Sequence, residues 1–369
     1  MRAKMSNILP NLDRLSSLYK KYQKTYDIKF CDLSEIDDVV EFIDQYWKKG
    51  HILVQSRDLM DWQHKDYVNN RYNFVLARHR ESGKIHAILG FITTQFFDPK
   101  IKNVLLWAAI WKTRDDMNAS GLGIMLYYHL KINIDIETIC ISGISGEAKN
   151  NYKSLGFTVG QENQYFFANP TMKKFFLAQG IKKYQNINFQ NSKDWTIKKI
   201  SSKDYEALDK NSECFTFDSQ YKSKEYHKKR YLQHPVYKYL FYAITFKESV
   251  KSIMVLRESS AIGSNCIRLV EYIGDYAFLA HVKGSVNDLL TKNNYEYMDM
   301  VVTGVDDIVL NRAGFTNIRS DSSITIPNYF EPFLAKNIDI GYAYTSINSK
   351  YHLVITKGDA DQDRPSLLT

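Results

Sequence analysis

The chain has 369 residues, which at about 150 per domain gives room for two or three domains. Hydrophobic residues make up 44% and aromatics 14%, enough for sizeable cores, so wholesale disorder is excluded. With 49 basic and 41 acidic residues the formal charge is +8, spread along the chain apart from short knots such as Lys228-Lys229-Arg230. A dedicated nucleic-acid binder concentrates its positive charge, so no nucleic-acid partner is expected.

The longest apolar run, Val104 to Trp111, falls well short of the roughly 20 residues that span a bilayer. The N-terminus leads into no apolar signal core. The chain is therefore expected to be soluble and cytoplasmic, without membrane insertion. Cys31, Cys140, Cys214 and Cys266 lie far apart with no CxxC pair, and the histidines show no HxxxH or HxH spacing. Neither a disulfide framework nor a metal site is expected.

Leu9, Leu12, Leu15, Leu18 and Tyr22 recur at helical spacing and predict an amphipathic helix over about 6–25. A strand follows at Ile28–Cys31. A second helix carries Ile36, Val39, Val40, Ile43 and Trp47, its start marked by Ser34 and Asp37. Three strands are predicted at Asn73–Arg78, Ala87–Thr93 and Val104–Trp111, the first two joined by the turn Glu81-Ser82-Gly83-Lys84. A helix begins at Gly121-Leu122-Gly123 with Leu122, Leu126 and Leu130 on one face. Strand, helix and strand then follow at Thr138–Ser142, Glu147–Leu155 and Gln164–Phe167.

The polar stretch 182–193 reads as a linker, and beyond it a similar order returns. Strands are expected at Trp195–Ile200, Tyr239–Ile244, Ser252–Arg257, Arg268–Tyr272 and Glu296–Val302. Helices are expected at Ser202–Leu208, Ala277–Leu290 and Val305–Ala313. The helix end Leu155-Gly156-Phe157 has an echo in Ala313-Gly314-Phe315, so the chain reads as a diverged internal duplication. Its parts are an N-terminal helix over 1–26, a first domain over 27–181, the linker, and a second domain with a tail over 194–369.

Two motifs carry chemistry. Asn118-Ala119-Ser120-Gly121-Leu122-Gly123 lies between a buried strand and a helix. N–H groups in a first helical turn lack intrahelical partners, and the helix dipole adds positive potential, so the turn suits a pyrophosphate. A dinucleotide fingerprint would need a third glycine where Leu126 stands, and that reading fails. The second motif is Ala148 followed by Tyr152-Lys153-Ser154-Leu155-Gly156-Phe157, with Gly156 ending the helix and Phe157 packing back.

Together these motifs resemble those of the GNAT acyltransferase superfamily. Gly121 and Gly123 match its pyrophosphate loop, while Asn118 stands where Gln or Arg is usual. Ala148, Tyr152, Gly156 and Phe157 match its tyrosine helix, while Ser145 replaces a frequent Asn. The resemblance covers about residues 27–170 and implies an α/β (α+β) fold of tandem GNAT-like domains. Each would be a mixed, mostly antiparallel twisted sheet flanked by helices. It further implies acyl-CoA as co-substrate and no metal. Pantetheine would pair with the backbone near Ile110, Trp111 and Lys112, and a backbone N–H would polarise the thioester carbonyl. Asn118, Ala119, Ser120, Gly121, Leu122 and Gly123 would hold the pyrophosphate, with Asn151 alongside. Tyr152 would give a proton to the departing CoA thiolate.

Gly50–Leu53 with Ser56–Gln63, and the tail Lys357–Pro365, resemble a two-domain branch that acylates amino sugars on nucleotide carriers. That implies transfer of an acetyl or 3-hydroxybutanoyl group to the amine of a dTDP-linked amino-dideoxy sugar, in O-antigen or capsule synthesis. Arg57, Asp58, Trp62, Gln63, His64, Asp361 and Arg364 are the implied acceptor-binding residues. Arg57 to Gln63 also reads as a polar helix start anchored by one buried Trp. The general base stays open among Asp58, Asp61, His64, the tail aspartates and water.

The second half has Asp275 in place of a glycine turn and Leu310 in place of Tyr152, so no second acyl-CoA site is expected there. A wall of the substrate cleft, or a homodimer surface, is its expected role. Two other readings are weighed: a tandem-GNAT aminoacyl transferase of cell-wall precursors, and a basic nucleic-acid-binding module. The glycine turn argues against the first, and the scattered charge against the second.

Overall fold

The computed structural model describes residues 12–117, 119–146, 148–186, 188–217, 221–347 and 353–367. Residues 6–11 of the expected first helix lie outside them. The elements that matter begin with α1 (Leu12–Tyr22), β1 (Tyr26–Asp32), α2 (Ile36–Phe42), α3 (Arg57–His64), β2 (Arg71–His79) and β3 (Ile85–Thr93). Next come β4 (Leu105–Thr113), α4 (Leu122–Asn133), β5 (Thr138–Ile144), α5 (Ala148–Ser154), β6 (Thr158–Gln161) and β7 (Asn163–Ala168). The second half adds β8 (Trp195–Ile200), β9 (Leu240–Phe246), β10 (Ser249–Ala261), β11 (Ser264–Ile273) and α6 (Lys283–Lys292). It continues through β12 (Tyr297–Thr303), α7 (Asp307–Arg312), β13 (Thr316–Asn317), β14 (Gly341–Ser346) and β15 (Ile355–Thr356).

The chain divides into two compact units, one of 1–160 with 341–350 and 365–369, the other of 161–340 with 351–364. The first sheet runs β1-β2-β3-β4-β5-β14-β6, and the second runs β8-β9-β10-β11-β12-β7-β13. The two orders are the same, with the penultimate place in each taken by a strand distant in sequence. This moves the division to 160/161 from the boundary expected near 181. The cause is β7, which pairs antiparallel with β12 from Tyr297↔Ala168 to Val302↔Asn163. Polar loop composition marks a surface, whereas strand pairing decides which core a segment joins.

The first sheet is covered on both faces, so β3 is buried at every position from Ile85 to Thr93. The strand period then sorts alternate residues. Val75, Leu89, Phe91 and Leu106 meet α4 through Leu122, Met125 and Leu126. Phe74, Leu76, Ile88 and Ile110 meet Val39, Phe42, Leu59 and Met60. Each such leucine or phenylalanine contributes about 1.5–3 kcal/mol by leaving water.

Local starts and stops differ in detail from expectation. The second helix is entered from Asp32, whose N–H donates to Glu35 Oε2 at 3.1 Å, and Ser34 lies inside that entry turn. The helix expected over 277–290 is a 3₁₀ segment at Tyr276–Val282 followed by α6, since the Asp275 side chain caps a tight first turn at Ala277 N–H. Gly156 and Gly314 close α5 and α7 with φ of +83° and +89°. A Cβ on Gly314 would lie 2.7 Å from the Phe167 ring. Gly314→Ala should therefore destabilise the chain by about 1–3 kcal/mol through left-handed strain and overpacking. An unchanged denaturation midpoint would contradict this.

Candidate functional site

The site is built on an interruption in the first sheet. β4 stays paired with β3 out to Ala87↔Thr113, but its parallel pairing with β5 ends at Ala108↔Ile141. On the β3 side the register slips between Leu89↔Trp111 and Phe91↔Ala108, leaving β4 one residue longer across that interval. A bulge of this kind bends its strand and raises its twist. Here it sits just past the last rung shared with β5. Beyond it the β4 edge from Ala109 to Thr113 carries backbone groups that no strand among the described residues covers. An open edge accepts an extended, amide-bearing partner as an added strand.

β4 leads into the turn before α4. Gly121 caps that helix with φ +90°, in the left-handed region that favours glycine. The N–H of Leu122 donates to the Ala119 carbonyl at 3.0 Å, while those of Ser120, Gly121, Gly123 and Ile124 have no acceptor among the described residues. The Tyr22 hydroxyl donates to the Ser120 carbonyl and fixes the turn from α1. Trp111 Nε1 donates to the Gly123 carbonyl at 3.2 Å. A Cβ on Gly123 would lie 3.1 Å from that same nitrogen and 3.3 Å from Thr113 Oγ1. The end of β4 and the start of α4 are thus held close, with free donors and the positive end of the dipole together. That arrangement suits an anion. Asn118 lies outside the described residues.

Tyr152 reaches the same place from α5. Its ring centroid is 5.9 Å from that of Trp111 and 5.5 Å from that of Phe157. The helix end that sets this is sealed by the Phe157 N–H, which donates to the Tyr152 carbonyl at 3.0 Å. Burial pushes the Tyr152 phenol up to about 12, and its hydroxyl has no hydrogen-bond partner among the described residues. Asn151 is exposed on the same helix. Ile110 is buried in the core, and Lys112 pairs with Asp115 at 2.6 Å, so both offer backbone at this edge.

The acceptor residues read from the sequence separate into two groups. Ser56 caps α3, its hydroxyl accepting from the Leu59 N–H, and α3 presents Arg57 and Asp58 to solvent. Arg57 forms an ion pair with Asp37, and the Trp62 ring lies 5.7 Å from that of Phe97. Asp61 accepts from the Tyr72 hydroxyl and pairs with Lys65 at 3.1 Å. Gln63 and His64 are buried. The Phe91 carbonyl, 3.2 Å from His64 Nδ1, can only accept, so Nδ1 carries the proton and Nε2 accepts from Gln63 Nε2 at 3.0 Å. Asp361 and Arg364 belong to the second unit and pair with each other at 3.0 Å.

Two contributors escaped sequence reading. Tyr22 lies outside the matched motifs, on the N-terminal helix. Tyr127 sits one turn past Gly123, its ring 5.7 Å from Trp111, with a buried hydroxyl that has no partner among the described residues. Its helical offset from Gly123 was the available signal. Among the described residues no group of three or more His, Cys, Asp or Glu could hold a metal, and no helix is long and apolar enough to cross a membrane.

No family model and no curated protein matches the sequence. Solved structures do match the fold. A GCN5-related N-acetyltransferase from Anabaena variabilis ATCC 29413 superimposes with a TM-score of 0.53 at 9% identity, covering 88% of this chain and 73% of its own. A conserved protein of unknown function from Enterococcus faecalis V583, described as a probable N-acyltransferase, gives 0.52 at 9% identity over 88% and 72%. The fold is therefore a tandem GNAT-like α/β arrangement of two mostly antiparallel sheets flanked by helices.

The Tyr152 environment has a direct spectroscopic consequence. Burial favours the neutral phenol, so its contribution to stability is full below the unfolded value near 10 and is lost as pH rises through about 12. The alkaline absorbance titration of the folded chain minus that of Tyr152→Phe should show one phenol ionising near pH 12. A difference midpoint near 10 would contradict the burial.

Proposed function

We propose that the first unit transfers an acyl group from acyl-CoA to a primary amine. The observation that carries this reading is the parting of β4 from β5 beside a glycine turn with free N–H groups. In this reading the turn residues Ala119 to Gly123 hold the pyrophosphate. The open β4 edge from Ala109 to Lys112 pairs with the two amides of the pantetheine arm, and a backbone N–H at the bulge polarises the thioester carbonyl. Donors of that kind typically lower a barrier by about 3 kcal/mol.

The nucleophile is the neutral amine of the acceptor. Its attack forms the C–N bond, collapse of the tetrahedral centre breaks C–S, and one proton must leave nitrogen while one arrives on sulfur. Tyr152 serves the second half of that exchange. A phenol held near 12 is a weaker acid than a thiol near 8.5. Tyr152 therefore stays protonated and donates a hydrogen bond to the developing thiolate, which the proton released by nitrogen then neutralises.

For the acceptor we propose an amine on a dTDP-linked amino-dideoxy sugar, as in a dTDP-3-amino-3,6-dideoxygalactose N-acyltransferase, serving surface-polysaccharide synthesis in the cytoplasm. The support is the α3 segment, where solvent-facing Arg57 and Asp58 and the half-buried Trp62 offer charge and a stacking surface. Gln63 and His64 are buried against each other, and the one lone pair of His64, on Nε2, is engaged by the Gln63 amide N–H. Water is then the simplest route for deprotonating the amine.

Steady-state assay of acetyl-CoA with a dTDP-amino sugar tests the reading. Tyr152→Phe should lower turnover by roughly one to three decades with CoA affinity nearly unchanged. Arg57→Ala and Trp62→Ala should raise the acceptor KM more than that for acetyl-CoA. Wild-type turnover in Tyr152→Phe across pH would remove the Tyr152 hydrogen bond from the mechanism, and loss confined to acetyl-CoA binding would overturn the acceptor assignment.

A further inference from the structure

The second unit repeats the interruption of the first. Its β11 and β12 pair in parallel only from Ile267↔Met298 to Leu269↔Met300, although both strands run on. The β10–β11 register slips between Val255↔Glu271 and Leu256↔Leu269, which places a bulge at Val270. That is again one residue past the last shared rung. Among the described residues the first-unit gap holds no strand. The second-unit gap holds the C-terminal tail.

The tail enters as β15, with Ile355 and Thr356 opposite Thr303 and Val302. The Lys357 N–H donates to the Val301 carbonyl at 3.1 Å, and the Gly358 N–H donates to the bulged Val270 carbonyl at 2.7 Å. Consecutive amides thus bond the two walls of the gap. No larger residue fits at the second point, because a Cβ on Gly358 would lie 2.2 Å from the Tyr231 hydroxyl and 2.9 Å from the Val270 carbonyl.

Charged side chains then clasp the segment. Lys222 Nζ lies 2.9 Å from Asp359 and 2.6 Å from Glu271. Arg230 donates to the carbonyls of Gly358 at 3.0 Å and Ala360 at 2.6 Å. Arg257 makes a two-pronged contact with Asp363 at 2.6 and 2.9 Å, and the Tyr239 hydroxyl donates to the same carboxylate at 2.8 Å. Asp359 is 0% and Asp363 3% exposed. Burial opposes the Asp363 charge, yet Arg257 outweighs it and holds the carboxyl at about 2. The burial of Asp359 and Asp363 is a finding of the fold.

We propose that residues 355–363 are a built-in ligand of the second unit. Their peptide amides occupy the notch that an extended amide-bearing ligand would otherwise enter, and the Arg257–Asp363 and Lys222–Asp359 pairs lock them there. The second notch is a binding groove whose occupant is its own chain. This inference stands on the second unit alone and does not depend on the acyl-transfer reading of the first.

Amide-resolved hydrogen exchange on the native full-length chain tests it. The Lys357 and Gly358 amides should exchange within about tenfold of the slowest amides of β11 and β12, as parts of one cooperative element. In Asp363→Asn their protection should fall by roughly a hundred- to a thousandfold, with β11 and β12 still the slowest in the unit. Exchange of Lys357 and Gly358 at the rate of an unstructured peptide in the wild type would overturn the proposal. Protection unmoved by Asp363→Asn would overturn the clasp.

Discussion

The parallel pairing of β4 with β5 ends at Ala108↔Ile141, and the neighbouring bulge fixes where the first sheet parts. Each wall of the opening is held from behind. β3 stays paired with β4 out to Thr113 across the bulge, and β14 pairs with β5 from Ser346↔Thr138 to Gly341↔Ile144. Both strands are therefore paired on the side away from the gap, each ladder carrying one irregularity. What faces the gap is backbone polarity that no strand among the described residues pairs with. Buried polar groups need partners, so the constraint that shapes the fold also defines what can enter it.

The glycine turn depends on the same constraint. Trp111 belongs to the freed stretch of β4, and its indole N–H holds the Gly123 carbonyl. Its ring also meets Tyr152 and Tyr127. One residue thus ties the open edge, the helix N-terminus and the tyrosine helix into a single site. Glycine at 123 permits that closeness, and glycine at 121 permits the left-handed turn that starts the helix.

Duplication gives the same opening twice, with opposite outcomes. In the second unit the bulged Val270 carbonyl meets Gly358, and buried ion pairs hold the tail in place. Breaking one partner of such a pair leaves a charge without compensation, commonly a cost of about 3–5 kcal/mol. A filled notch and an open one on the same topology separate the scaffold from its use.

Much of the first unit was legible because its signals are local. Leucine spacing marked α4, alternation and a Gly83 turn marked the β2–β3 hairpin, and Gly156-Phe157 marked the end of α5. The strand β14 was not legible, since a short half-buried run such as Gly341–Ser346 gains its identity only from pairing with β5. The burial of the tail was not legible for a related reason: Arg257 and Lys222, which supply the charges opposite its aspartates, lie far away in sequence. Gln63 and His64 carry polar chemistry in the sequence, yet the face of α3 on which they fall turns them into the core.

The most direct test of the central claim is calorimetric titration of the wild-type chain and of Gly123→Trp with acetyl-CoA. The account predicts one site per chain in the wild type. It predicts no binding in Gly123→Trp, where the indole would fill the space between the turn and Trp111. A stoichiometry near two, or tight binding that survives in Gly123→Trp, would contradict it.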